Sequence, residues 1–72
     1  MNDAINIVAK VLKIDPKKLN KDSTNNEFNE WDSLAILRIF MAVEKITKKK
    51  LGSELILQMN SIKLITEIIK KD

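Results

Sequence analysis

The amino-acid sequence predicts one small all-α domain, a four-helix bundle with a long first loop and a short third helix, spanning residues 1–72. Apolar residues recur at helical spacing in separate segments, and no segment alternates convincingly like a strand. The only glycine and the only proline fall between these segments. The length of 72 residues suits a single domain, and 44% hydrophobic with 32% charged residues is typical of a chain that folds.

The first helix is predicted near the N-terminus, with Asn2 or Asp3 as its N-cap. It ends before Pro16, because the residue that precedes a proline is pushed away from helical backbone geometry. The apolar positions that recur every three or four residues are Ile5, Val8 and Leu12, with Ala4 and Val11 beside them.

A long ordered loop is predicted from Pro16 to Trp31. Asn, Asp, Ser and Thr dominate it, and their side chains favour turns by bonding to nearby backbone groups. We expect a short helical turn at residues 16–19, and we expect Leu19, Phe28 and Trp31 to attach the loop to the core. A loop of this length in a small domain is either functional or a sign that an element within it has been misassigned.

The second helix is predicted from Ser33 to about Thr47, with the carboxylate of Asp32 as N-cap. Helical spacing favours core positions for Phe40 and Met41. Apolar residues lie nearly all round this helix, which is typical of a helix that is central to a bundle or faces a partner. One face carries Leu34, Leu37 and Met41. This apolar face is widened by Ile36, Ile39, Phe40 and Val43.

The C-terminal third of the chain predicts two further helices. Ser53 is expected to cap a short third helix that reaches Gln58, and Asn60 or Ser61 to cap the last helix. Leu51, in the loop before them, is expected to turn inward. The aligned apolar positions of the last helix are Ile62, Ile65 and Ile69, with Ile68 adjacent.

Composition argues against catalysis and against a metal site. The chain contains no Cys and no His, so it lacks disulfides, thiolate ligands and the commonest general base. We therefore predict neither an enzyme nor a metalloprotein. The acidic residues of the loop do not match the spacing of a calcium-binding loop; they are Asp22, Glu27, Glu30 and Asp32.

The net charge is +3, and four lysines cluster at the end of the second helix and just after it. These lysines suit the negative pole of the helix dipole, which makes a solvated helix end the simplest interpretation. A second interpretation of the lysine cluster is a docking surface for an acidic partner. Nucleic-acid binding is not expected, because no aromatic residue lies among the lysines to stack on bases. The cluster consists of Lys45, Lys48, Lys49 and Lys50.

No apolar run is long enough to cross a bilayer, and the N-terminus lacks the basic flank and apolar core of a signal peptide. From these features we expect a cytoplasmic protein that does not bind membranes.

Ser33 stands where a helix start could hold an anion. The first amides of a helix lack partners within the helix, and its dipole places partial positive charge there. A phosphate is therefore favoured at such a terminus. From periodicity alone, the simpler interpretation is that Ser33 is a second capping residue.

The tripeptide Asp32-Ser33-Leu34, at the start of the second helix, resembles the signature of the acyl carrier protein and peptidyl carrier protein family. Further similarities lie in three other segments, so that the resemblance covers nearly the whole chain. They are Ile14 to Leu19 after the first helix, Glu44-Lys45 followed by Leu51, and Ser61-Ile62 at the last helix.

The resemblance implies that Ser33 carries 4′-phosphopantetheine, transferred from coenzyme A by a phosphopantetheinyl transferase. Asp32 would cap the helix and help the transferase to engage its magnesium-bound coenzyme A. Leu34 would contact the transferase or pack under the prosthetic arm. The carrier would hold an acyl or aminoacyl group as a thioester and perform no chemistry itself.

The resemblance also implies that one face of the second helix meets partner enzymes, namely a loading ligase and a downstream acyltransferase or synthase. We expect the carrier to be a monomer. Trp31 is most simply a hydrophobic anchor, but it is also a candidate for gripping the arm or a partner. The residues expected on the partner face are Ile36, Arg38, Ile39 and Ala42.

This chain departs from fatty-acid carriers, whose second helix is strongly acidic. Ala35, Arg38 and Lys45 stand where acids are common in that group. The departures favour a dedicated stand-alone carrier for polyketide, nonribosomal peptide or surface-polysaccharide synthesis. Two alternatives remain: an aminoacyl carrier of the D-alanyl or peptidyl kind, and a small helical interaction module in which Ser33 only caps the helix.

Overall fold

A computed structural model describes residues 3–48 and 50–70, and it shows a small all-α fold. The long helices are α1 (Asp3–Leu12), α2 (Ser33–Thr47) and α3 (Ile62–Lys70). Short 3₁₀ helices span Pro16–Lys18, Asn25–Glu27 and Ser53–Gln58. The predicted cap Asn2 and the predicted cluster member Lys49 lie outside the described residues.

The core lies between α1 and the other two long helices, and α1 packs against both. Burying each large apolar side chain contributes about 1.5–3 kcal/mol, so this shared core accounts for much of the stability. The buried stripe of α1 consists of Ala4, Ile7, Val8, Ala9 and Leu12. It meets Ala35, Ile39, Phe40 and Val43 of α2, and Ile62 and Ile65 of α3.

α1 ends earlier than the proline requires. Lys13 adopts a left-handed conformation with φ of 59°, and the Ile14 amide donates to the carbonyl of Ala9 at 3.0 Å. This backbone reversal satisfies a carbonyl at the helix end. The Asp15 carboxylate then accepts from the Lys17 amide at 2.9 Å, which starts the predicted helical turn.

The third helix differs from the prediction. Ser53–Gln58 is a 3₁₀ helix, with bonds such as that from the Met59 amide to the Ile56 carbonyl at 3.1 Å. Ser53 is its first residue, not its cap: Gly52 is the N-cap and contributes no side-chain bond. An α-helix of six residues would form few hydrogen bonds in return for the backbone entropy that it loses. The 3₁₀ helix is therefore favoured in this segment.

The loop after α2 is held by Glu44, whose Oε2 accepts from the Leu51 amide at 2.9 Å. Leu51 is half-buried and packs against the core, as predicted. At the other end of this region, the Ser61 hydroxyl accepts from the Leu64 amide at 3.1 Å, which confirms Ser61 as the cap of α3.

Three hydrogen bonds join the long first loop to the chain at the start of α3, and together they are called the clasp here. The Asn25 amide donates to the Asn60 carbonyl at 2.9 Å, and the Ile62 amide to the Ser23 carbonyl at 3.0 Å. The third runs from the Trp31 indole Nε1 to the Met59 carbonyl at 2.9 Å. The clasp fixes the loop that leads into α2.

Apolar side chains reinforce the clasp, as the sequence predicted for this loop. Trp31 is 2% exposed and Leu19 is buried. Phe28 is half-buried and packs on the core, with its ring 6.5 Å from that of Trp31. The loop is therefore anchored at both of its ends.

We expect Trp31→Phe to lower the free energy of unfolding by about 2–4 kcal/mol, because the Met59 carbonyl loses its donor and a cavity forms. Urea unfolding followed by circular dichroism measures this change. Leu57→Ala is the control, since that leucine is 80% exposed and its truncation should change stability by no more than about 0.5 kcal/mol. Equal effects of the two substitutions would contradict this account of the clasp.

Candidate functional site

The start of α2 is capped by Asp32, as predicted. Its Oδ1 accepts from the Ala35 amide at 3.0 Å, and its carbonyl accepts from the Ile36 amide at 2.9 Å. The carboxylate thus satisfies one of the four first-turn amides that lack a partner within the helix, and the carbonyl accepts the first hydrogen bond of the helix itself, which is the ordinary role of an aspartate N-cap.

Ser33 is the first residue of α2, and its side chain is exposed. The Asp32 carboxylate, not the Ser33 hydroxyl, makes the side-chain capping bond. Within residues 3–48 and 50–70, the amides of Ser33 and Leu34 have no hydrogen-bond acceptor. An exposed hydroxyl therefore lies beside two unpaired amides at the positive pole of the helix.

A shallow surface depression of about 170 Å³ adjoins this helix start. It lies between α1 and the first turns of α2, and carboxylates and a guanidinium share its wall. The space holds only a few water-sized groups, so it suits a contact point better than an enclosed ligand. The residues that line it are Val11, Glu30, Asp32, Leu34, Ala35 and Arg38.

The predicted partner residues fall into two groups. Arg38 is exposed, and Ile36 and Ala42 are half-buried, so these side chains reach the surface. Ile39 is 0% exposed, and its assignment to the partner face is wrong because it points into the core between α1 and α2. Trp31 is likewise a buried anchor that donates to Met59, so it does not contact a partner directly.

The apolar residues of α2 divide differently from the prediction. Phe40 is buried as expected, but Met41 is 53% exposed, so its predicted core position is wrong. Leu34 and Leu37 lie on the same outward face and are 58% and 43% exposed. Sequence reasoning missed that this face points to solvent, because a helix that is apolar nearly all round does not reveal which side is buried.

A second residue that sequence reasoning missed is Ser23, which is 1% exposed. Its hydroxyl accepts from the Asn20 amide at 2.9 Å, and its carbonyl belongs to the clasp. The run of turn-forming residues around it was the only available signal, and that run did not single it out.

Within the part of the chain that the structure describes, no group of three acidic side chains is arranged to hold a metal ion. In the same residues, no helix combines the length and the apolar character needed to cross a bilayer.

No protein-family model matches this chain, and no curated protein is significantly similar to it.

We expect Asp32→Ala to lower the free energy of unfolding by about 1 kcal/mol, because the Ala35 amide loses its acceptor. Ser33→Ala is the matched control at the next position and should cost less, since its side chain makes no capping bond. Thermal unfolding of both variants measures the difference. An unchanged midpoint for Asp32→Ala would show that the carboxylate does not stabilise the helix.

Proposed function

We propose that this chain is an acyl carrier protein whose prosthetic group, 4′-phosphopantetheine, is attached to Ser33. The single observation that carries the proposal is the exposed Ser33 hydroxyl beside unpaired amides, within the sequence Asp32-Ser33-Leu34. The resemblance of that tripeptide to the carrier signature supplies the function. The geometry supports it, because a tether must be reachable by the enzyme that modifies it.

The residues at the helix start fit a phosphodiester. The two unpaired amides and the helix dipole favour a negative charge next to Ser33. Asp32 is committed to the Ala35 amide, which leaves the serine hydroxyl free. The prosthetic group supplies a flexible arm whose terminal thiol holds an acyl group as a thioester.

Modification requires a partner enzyme, a phosphopantetheinyl transferase. In that reaction the Ser33 oxygen forms a bond to the phosphorus atom of coenzyme A that bears the pantetheine, and the hydroxyl loses its proton. The pyrophosphate bond breaks, and adenosine 3′,5′-bisphosphate leaves. The role of this chain is to present the hydroxyl on a rigid helix start, with Leu34 exposed beside it.

The proposal includes the four-helix arrangement of carrier domains, in which the 3₁₀ helix Ser53–Gln58 occupies the third place. It also includes a monomeric, cytoplasmic protein that a ligase loads and an acyltransferase or synthase unloads. An aminoacyl cargo would use the same serine, since the loading enzyme determines what the arm carries.

A second candidate belongs to another class, a helical interaction module without a prosthetic group. The outward apolar face of α2 favours it, because Leu34, Leu37 and Met41 are each more than two-fifths exposed and contiguous apolar surface marks interaction sites. Under this alternative, Ser33 would be an ordinary surface residue.

Incubation with coenzyme A and a broad-range phosphopantetheinyl transferase, followed by intact-mass measurement, separates the two candidates. The carrier gains one phosphopantetheinyl group, and Ser33→Ala gains none. Ser53→Ala is the matched control, because Ser53 is also exposed and also begins a helix. It should be modified as fully as the unaltered chain.

A chain that stays unmodified after saturating treatment would overturn the carrier proposal in favour of the interaction module. Modification that persists in Ser33→Ala would place the tether on another residue and would overturn the assignment of Ser33.

A further inference from the structure

The exposed side of α2 carries a continuous stripe that is both apolar and cationic. Its members, here called the α2 stripe, are spaced by three or four residues and therefore share one side of the helix. All of them are exposed. The α2 stripe consists of Leu34, Leu37, Arg38, Met41, Lys45 and, at the C-cap, Lys48.

The stripe contributes little to folding. The buried residues of α2 lie on the opposite side, where Ile39 and Val43 are 0% exposed. Leu34 and Met41 are more than half exposed, so most of their apolar surface remains in water. Removing that surface from water in a complex would be favourable at about 25 cal/mol per Å².

The charge on the stripe has one sign from Arg38 onward. Glu44 is the only acidic residue in Ser33–Thr47, and its Oε2 accepts from the Leu51 amide. Two carboxylates, Glu30 and Asp32, lie only at the opposite end, where they share a depression with Arg38. The surface thus changes from acidic just before Ser33 to basic along the α2 stripe.

Any enzyme that modifies Ser33 must cover part of this stripe. A standard interface buries about 800 Å² per partner, a disc of about 16 Å radius. With a rise of about 1.5 Å per residue, Met41 lies about 12 Å and Lys45 about 18 Å along the axis from Ser33. A footprint centred on Ser33 therefore includes Met41 and ends about 2 Å short of Lys45, whose long side chain leans back toward the start of the helix.

We infer that the transferase docks on the α2 stripe through an apolar pocket edged by aspartate or glutamate side chains. The inference rests on the proposed function and extends it to the chemistry of the partner. Charge complementarity carries it: carboxylates opposite Arg38 and Lys45 speed the encounter, whereas a basic surface there would repel the carrier.

Two other occupants fit the observations less well. A second copy of the chain on the stripe would cover Ser33 itself. An anionic bilayer would favour aromatic side chains at the interface, but the stripe contains none, and Trp31 and Phe40 are buried.

The test is the rate of pantetheinylation by the transferase of the organism that makes this chain, with coenzyme A saturating. The variant Arg38→Glu/Lys45→Glu reverses both charges on exposed side chains. Its kcat/KM should fall by about tenfold or more at an ionic strength of about 0.05 M, because it loses the electrostatic attraction of the unaltered chain. The difference should shrink at about 0.5 M, where charges are strongly screened.

Lys21→Glu/Lys63→Glu is the matched control. It changes the net charge by the same amount, and both lysines line a separate depression to which no residue of α2 contributes. Acidic residues line that depression as well, namely Asp22 and Glu67. The two control lysines therefore resemble Arg38, which shares its depression with Glu30 and Asp32. The control should keep kcat/KM within about twofold of the unaltered chain.

Each other outcome overturns the inference in a recognisable way. If the unaltered chain is modified normally and the Arg38→Glu/Lys45→Glu variant has an equal or higher kcat/KM, the inference of an acidic partner is wrong. The carrier function would still stand. If the unaltered chain is not modified at all, both the carrier function and the acidic partner are ruled out. Co-sedimentation of the unaltered chain with phosphatidylserine vesicles, or a dimer that only the stripe variant dissociates, assigns the stripe to a bilayer or a second copy.

Discussion

The bond between the Trp31 indole and the Met59 carbonyl anchors the residue that precedes the N-cap of α2. Trp31 is the last residue of the long loop, and Asp32 caps the helix immediately after it. A buried carbonyl without a donor costs about 1–3 kcal/mol, so the indole is held in place. Ser33 follows two residues later and is presented at a fixed position on the surface.

The clasp fixes a loop of polar residues against the rest of the domain. Two main-chain bonds tie Asn25 and Ser23 to the chain at the start of α3, and Thr24 forms an isolated bridge with Ser61. Loops usually carry functional groups on mobile chain. Here the loop is anchored instead, and the proposed attachment site lies on the helix that the loop leads into.

α2 combines two functions on opposite sides. Its buried side forms the centre of the core, and its exposed side keeps Leu34, Leu37 and Met41 in water beside Arg38. Exposed apolar surface gives the isolated domain no stability, and it raises the risk of aggregation. The proposed carrier function explains the arrangement, since partner enzymes must approach this side to reach Ser33.

Local features were predictable from sequence, because they depend on residues a few positions apart. The caps at Asp32 and Ser61 and the turn at Pro16 are examples. Contacts between distant segments were not predictable in this way. The partner of Trp31 lies 28 residues away, and nothing near either residue indicates the pairing.

At the candidate site, the sequence predicted the cap at Asp32, but it did not predict which apolar residues of α2 reach the surface. Ile39 and Met41 are both apolar and two positions apart, yet one is buried and the other exposed. Only packing against α1 decides between them. The 3₁₀ form of Ser53–Gln58 also depends on its surroundings, because propensity in so short a segment is a weak constraint.

Native-state hydrogen exchange tests the central claim that the clasp holds the start of α2. The account predicts that the Trp31 indole proton and the amides of Asn25 and Ile62 exchange within about tenfold of the Val43 amide in the core of α2. Exchange of these three protons at the rate of an unstructured chain, while Val43 stays protected, would contradict it.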